Sequence, residues 1–265
     1  MREKFQKPPL TYYGGKQQML EFILPLIPDH RIYNEPFFGG GAVFFAKQPA
    51  KIEFINDING EIVNFYRVIK RNFKELKVEI DCTLHSEFQH RQAFEIYKNS
   101  ENKDAVLRAW AVWMLSHQSF YAIFGNSWKC SKERNMAVQL MNKRMQFNEI
   151  YVKRLESTSI FARDALNVIK SVDTGETFHY IDPPYFNSDC GHYEGYSKAD
   201  FEILLKLLSG LKGKFMLSSY PSELLNKYIK SNGWNINKFD MQRSAGGGRK
   251  TEILTLNYEQ EKQPK

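Results

Sequence analysis

The chain has 265 residues, of which 42% are hydrophobic, 14% aromatic and 25% charged, enough for one large α/β domain or for a core domain carrying a smaller inserted one. No stretch is both long and apolar enough to span a bilayer, which disfavours a membrane role. The net charge of +7 attracts polyanions, although by itself it is equally compatible with a merely solvated surface.

Met1 to Lys7 is basic and runs into Pro8-Pro9-Leu10-Thr11-Tyr12 instead of an apolar signal core, so the expected location is the cytoplasm. Ile32-Tyr33-Asn34-Glu35 reads as a short strand entering the glycine turn Pro36-Phe37-Phe38-Gly39-Gly40-Gly41, with a helix starting at Ala42. A second strand is expected over 51–56, ending at Asp57, and a helix from Ile58 to Lys70, giving the βαβα start of a mostly parallel sheet. From about Asn72 to Ser157 the pattern turns charged and helical, with a buried helix over 104–116 whose Met and Trp stripe is core. An irregular stretch from Ser119 to Asn135 then interleaves aromatics with cations, and a basic helix is expected over 136–155. Strands return at 159–161, 178–181 and 214–218, separated by a helix over 200–211. The end reads as a strand pair, 241–244 and 252–258, across Gly246-Gly247-Gly248.

The three cysteines, Cys82, Cys130 and Cys190, form neither a disulfide framework nor a Cys-x-x-Cys knuckle, and the six histidines show no ligand spacing. No metal is expected. The turn Phe38-Gly39-Gly40-Gly41 lets backbone approach a ligand, but neither a P-loop Lys-Ser/Thr nor a Rossmann third glycine follows it. ATP and NAD are therefore disfavoured. Asp57, at the end of the second strand, is placed to hold ribose hydroxyls, or to cap the helix after it. A nucleoside without phosphate, S-adenosylmethionine, fits these requirements.

The most specific feature is Asp182-Pro183-Pro184-Tyr185, directly after an apolar strand. Each proline fixes φ and pushes the residue before it into an extended form, so the segment is a stiff projecting turn. The exocyclic N6 of adenine is a poor nucleophile because its lone pair is conjugated with the ring. Asp182 and the Pro183 carbonyl would accept one N–H each, and Tyr185 would offer a face on which an extruded base stacks.

Together with these motifs, Tyr12-Tyr13-Gly14-Gly15-Lys16, Glu35 to Phe45, Asn56-Asp57-Ile58-Asn59 and Phe215 to Tyr220 resemble the Dam-like family of DNA adenine-N6 methyltransferases, in the α-group order of motifs and almost end to end. The resemblance implies an α/β fold: a Rossmann-like methyltransferase sheet, mostly parallel with an antiparallel C-terminal strand, plus an inserted, mostly helical target-recognition domain. The expected boundaries are residues 1–70 and 157–265 for the catalytic domain and 71–156 for the insertion. It implies that Tyr12 and Lys16 close over the cofactor, that Glu35, Pro36, Phe38, Gly39 and Gly41 line it, that Asp57 holds its ribose, and that Asp182 touches both cofactor and target amine. Asp164 is expected to accept the cofactor's adenine amino group, or else to cap the helix that starts at Ala165.

DNA contacts are expected from Trp128, as an aromatic wedge, and from Lys129, Lys132 and Arg134 on phosphate. Arg243 and Arg249 stand in a segment, Arg243 to Glu252 with the pair Arg249-Lys250, that resembles the family's closing hairpin and is expected to touch the DNA backbone. The implied activity is site-specific methylation of duplex DNA by a monomeric, prokaryotic or phage-encoded, nucleoid-associated enzyme, with a restriction endonuclease as a possible partner. The recognition site is not legible, since the loop from Phe120 to Asn135 diverges from the family. Alternatives are methylation of cytosine N4 or of RNA adenine, and a catalytically silent DNA-binding module.

Overall fold

The computed structural model describes residues 5–186, 196–242 and 249–260. Its strands are β1 (Ile32–Glu35), β2 (Ile52–Asn56), β3 (Thr158–Phe161), β4 (Thr177–Ile181), β5 (Lys214–Ser219), β6 (Asn235–Gln242) and β7 (Arg249–Leu256). The helices are α1 (Leu20–Ile23), α2 (Ala42–Ala46), α3 (Gly60–Arg71), α4 (Phe73–Asp81), α5 (Glu87–Lys98), α6 (Ala105–Gln118), α7 (Met136–Gln146), α8 (Ile150–Arg154), α9 (Ala165–Val172), α10 (Lys198–Leu208) and α11 (Glu223–Asn232). Among the described residues no helix is long and apolar enough to cross a membrane.

The strands form one seven-stranded sheet in the order β3-β2-β1-β4-β5-β7-β6. β1 pairs parallel with β2 and β4, and β4 with β5, whereas β7 runs antiparallel to both β5 and β6. The expected α/β fold, mostly parallel with an antiparallel end, is therefore present. β6 begins earlier than its sequence pattern suggested. It is an edge strand, and its largely solvated residues, Asn235, Ile236 and Lys238 among them, give no apolar alternation to read. The Gly246-Gly247-Gly248 loop and Arg243 lie outside the described residues.

The chain forms two compact units. One contains residues 1–21, 39–49 and 57–162, and its centre is α6, packed by α3, α4 and α5 with Trp113 and Met114 fully buried. Asp104 caps α6 by accepting the amides of Val106 and Leu107. The basic helix expected over 136–155 is broken into α7 and α8. Phe147 adopts an extended conformation at the end of α7, which lets its ring stack on Phe73 at 5.3 Å in place of continuing on the solvated face.

The other unit contains residues 22–38, 50–56 and 163–265. Ile181, Phe201, Leu205, Phe215, Leu217 and Leu225 belong to its core, between the sheet and the apolar faces of α10 and α11. Burial of such side chains contributes on the order of 1.5–3 kcal/mol each. A polar tie crosses this apolar sheet. Asn34 on β1 lies in register with His179 on β4 and bonds its Nδ1 at 2.9 Å, while His179 Nε2 meets Asp173 at 3.3 Å. Asp173 also accepts the amides of Lys212 and Gly213, both at 2.9 Å, fixing the entry to β5. Gly213 admits no side chain, because a Cβ would lie 2.6 Å from the Thr177 carbonyl oxygen.

Burial raises the Asp173 pKa, but the bonds from His179 and the two amides outweigh it and leave it below the usual carboxylate value. Its contribution to stability is therefore complete above the unfolded-state pKa of about 4 and is lost as pH falls through the lower folded value. Asp173→Asn removes one acceptor oxygen and is expected to cost about 1–3 kcal/mol at neutral pH. Urea unfolding at a series of pH values checks this: the wild-type and variant stabilities should converge in acid.

Candidate active site

The C-terminal ends of β1, β2, β4 and β5 open on one edge of the sheet, the edge at which parallel α/β sheets bind ligands. β1 leads into Glu35-Pro36-Phe37-Phe38, β2 ends on Asn56, and β4 leads into Asp182-Pro183-Pro184-Tyr185. Asn56 is a cross-tie that sequence reading passed over. Its buried side chain donates to the Pro36 and Arg163 carbonyls at 2.9 and 3.0 Å and accepts the Arg163 amide at 3.1 Å. Glu35 is buried too and accepts the Tyr33 hydroxyl at 2.6 Å, so one of its oxygens is committed within the strand. Burial and the Glu35 charge hold that phenol well above its usual pKa.

Directly after Asn56 comes Asp57, in the other unit. Its Oδ2 accepts the Gly39 amide at 2.8 Å and its Oδ1 the Asn59 amide at 2.9 Å. It does not cap α3. Asn59 does that, accepting the Glu61 amide, which is why the helix starts two residues later than its pattern suggested and leaves Ile58 exposed. Burial raises the Asp57 pKa, partly offset by the two amide bonds. The carboxylate therefore faces the glycine turn, with each oxygen holding one donor and lone pairs to spare.

In this unit the glycine turn is packed by protein. A Cβ on Gly39 would come within 3.0 Å of the Tyr12 ring, and one on Gly40 within 3.0 Å of the Tyr12 Cβ. Gly41, at φ 66°, starts α2 in the left-handed region that disfavours side chains. Tyr12 thus lies on the turn, and Phe124 meets it edge-on at 6.0 Å. Lys16 is buried and its Nζ donates to the Gly14 carbonyl at 2.9 Å. Asp164 is exposed and accepts the Asn167 amide at 3.0 Å as the cap of α9, the second of its two expected roles.

Around the tetrapeptide the structure adds residues that sequence reading missed. The Tyr185 hydroxyl lies 3.1 Å from Asp182 Oδ1, 2.8 Å from Ser218 Oγ and 3.1 Å from Glu252 Oε2. Lys250 Nζ is 2.8 Å from Glu252 Oε1 and donates to the Tyr220 hydroxyl at 3.2 Å. Lys250, expected with Arg249 on the DNA backbone, is thus turned onto Glu252. Arg249 opens β7.

The expected DNA-contacting residues of the insertion fall into two groups. Lys132 and Arg134 are exposed. Trp128, expected as an aromatic wedge, is half-buried, its Nε1 donating to Gln118 at 3.1 Å and its ring lying against His85 at 4.5 Å. The rings that do project are Phe120, 46% exposed, and Tyr121, 37% exposed, with centroids 4.1 Å apart. Tyr121 and Ala122 both have φ near 57°, a left-handed conformation that costs energy without glycine. Lys129 is half-buried, and burial lowers its pKa. Lys143 is lowered by burial and then by the charges of Lys7 and Lys129. Burial and the charges of Lys143 and Lys129 push His117 down to about 3.

Comparison with known proteins accords with this geometry. The family model described as "D12 class N6 adenine-specific DNA methyltransferase" matches residues 12–244. Type II methyltransferase M1.LlaDCHI of Lactococcus lactis subsp. cremoris is 29% identical over 97% of this chain and 98% of its own length. Type II methyltransferase M.MjaIII of Methanocaldococcus jannaschii is 29% identical over 95% of this chain and 99% of its own length. The DNA N-6-adenine-methyltransferase of Escherichia phage P1 is 24% identical over 91% of this chain and 33% of its own. With the acidic turn at the exit of β4 and the family match spanning nearly the whole chain, this protein belongs to the D12 class of N6 adenine-specific DNA methyltransferases.

Proposed function

We propose that this adenine-N6 methyltransferase binds duplex DNA, extrudes one adenine and presents its amine to S-adenosylmethionine from the acidic turn after β4. The observation that carries this reading is the Asp182 carboxylate, bonded through Oδ1 to the half-buried Tyr185 just after a fully buried strand. Asp182 accepts one N6–H and the Pro183 carbonyl the other, which directs the nitrogen lone pair out of conjugation with the ring. The same carboxylate stabilises the positive charge that develops on nitrogen as the new bond forms. The Tyr185 ring gives the extruded base a face to stack on, while its hydroxyl is held beneath.

The residues fit the cofactor. Asp57 keeps acceptor capacity for two ribose hydroxyls, and on this reading Tyr12, Lys16, Gly39 and Gly41 of the same unit bind the cofactor with it; Glu35, Pro36, Phe38 and Asp164 are the residues of the other unit assigned to cofactor binding. When bound, S-adenosylmethionine supplies a methyl group made electrophilic by its sulfonium. No covalent enzyme intermediate is needed.

Residues 71–156 form the target-recognition region on this reading, with residues 1–70 and 157–265 catalytic. Lys129, Lys132 and Arg134 contact phosphate, joined by Lys7 and Lys143, and Arg243 and Arg249 contribute from the closing hairpin. The wedge falls to Phe120 and Tyr121, which are exposed and held in a strained turn, with Trp128 as their anchor. The enzyme acts as a cytoplasmic, nucleoid-associated monomer, with a restriction endonuclease as a candidate partner given its type II relatives.

Tritiated-methyl transfer to unmethylated DNA followed by nucleoside analysis tests the reading: label should appear in N6-methyladenine, and label confined to N4-methylcytosine or its absence from DNA would refute it. Asp182→Ala should lower the transfer rate by about a thousandfold, the loss of transition-state stabilisation approaching 4 kcal/mol. Asp57→Asn should weaken S-adenosylmethionine binding by about tenfold or more, since a neutral acceptor replaces a charged one. Because folding raises the Asp57 pKa, wild-type affinity should begin to fall above the usual carboxylate range as pH is lowered, and titration calorimetry should show no such fall in Asp57→Asn. Lys132→Ala and Arg134→Ala should each reduce the slope of log K for DNA against log salt by about one, measured by fluorescence anisotropy.

A further inference from the structure

The Tyr185 hydroxyl carries one proton and lies within 3.1 Å of two carboxylates, Asp182 and Glu252. Ser218 Oγ, at 2.8 Å, brings a second proton to the group and can donate it to the phenol oxygen, which leaves the phenol's own proton for a carboxylate. One carboxylate at a time can therefore receive the phenol's hydrogen bond. Glu252 is 2% exposed, and a charge so deeply buried needs a partner. Lys250 provides it at 2.8 Å, and is itself braced by the Tyr220 hydroxyl at 3.2 Å. The edge of the Tyr220 ring meets Tyr185 at 4.6 Å, so the brace and the tetrapeptide pack together.

We propose that the Glu252–Lys250 pair of β7 is a positioning device for catalysis: by satisfying Glu252, Lys250 releases the Tyr185 proton to Asp182, and that bond fixes the rotation of the carboxylate that accepts the target amine. Neither Glu252 nor Lys250 touches substrate in this scheme. They act through Tyr185. The register of the sheet makes the arrangement possible, because β7 lies antiparallel to β5 with Ser219 opposite Ile253, which brings Glu252 beside Ser218 at the exit of β4 and β5. Burial, then the Asp182 and Glu252 charges, keep the phenol pKa well above its usual value, so Tyr185 remains a donor at working pH. Burial lowers the Lys250 pKa, but the Glu252 charge and the bonds to Glu252 and Tyr220 raise it by more, so the cation persists.

The inference rests on the adenine-methyltransferase reading, and its test separates the two. Full-length wild type, Lys250→Met, Lys250→Arg and the double variant Lys250→Met/Glu252→Gln are compared in single-turnover methyl transfer. The same proteins are tested for S-adenosylhomocysteine affinity, for urea stability, and for fluorescence of a duplex with 2-aminopurine at the target position. In Lys250→Met the unpaired Glu252 competes for the phenol proton. The transfer rate should fall by about 10- to 100-fold while cofactor affinity and base extrusion stay within about twofold of wild type. Lys250→Arg should retain most of the rate. The near-isosteric amide of the double variant no longer draws the proton, so adding Glu252→Gln should restore part of the rate lost in Lys250→Met. An unchanged rate in Lys250→Met would overturn the inference, as would a rate that falls only in step with stability and is not recovered in the double variant. A wild type that labels no adenine would instead overturn the functional reading, and this inference with it.

Discussion

An acceptor can orient an amine only when its own rotation is fixed, and at the exit of β4 the Tyr185 hydroxyl bonds the Asp182 carboxylate. Two prolines stiffen the backbone after Asp182, but they leave its side-chain torsions open. Tyr185 restrains them, through a bond made just after a fully buried strand. The antiparallel end of the sheet acquires a purpose in this light. Running antiparallel to β5, β7 places its N-terminal residues at the edge where β5 ends, and so brings a carboxylate and an ammonium to the tetrapeptide.

The glycine turn, the proposed cofactor side, obeys a similar economy of donors. Asp57 is immobilised by two backbone amides, one of them from the glycine turn, so the carboxylate and the turn are fixed relative to each other before any ligand arrives. Such preorganisation means that binding does not have to order these groups. Tyr12 fills the space above Gly39 and Gly40, and its contact with Phe124 of the irregular stretch, itself edge-on to Tyr97 at 5.3 Å, links that stretch to the turn through packed aromatic rings.

Features built from contiguous residues were legible in the sequence: the strand, turn and helix around Gly39 to Gly41, the buried strand running into Asp182-Pro183-Pro184-Tyr185, the parallel rhythm, and the antiparallel end. Carboxylates placed before helices were not resolved, because a cap and a ligand demand the same residue at the same place. Asp57 and Asp164 illustrate this, the first leaving the capping role to Asn59 and the second keeping it. Glu252 was invisible for another reason. Its partner Tyr185 is 67 residues away, and only the register of β7 against β5 joins them. The bond from the Trp128 indole nitrogen to buried Gln118 was not legible, because an aromatic among cations gives no sign of which buried acceptor lies beside it in the fold.

The central claim is that the acidic turn, held from below, receives the target amine. It is tested most directly by a crystal structure of the protein with S-adenosylhomocysteine and a duplex containing its target adenine. The account predicts N6 within hydrogen-bonding distance of both the Asp182 carboxylate and the Pro183 carbonyl, with the Tyr185 hydroxyl still on Asp182. An Asp182 carboxylate turned away from the base, or a Tyr185 hydroxyl bonded to Glu252 alone, would contradict it.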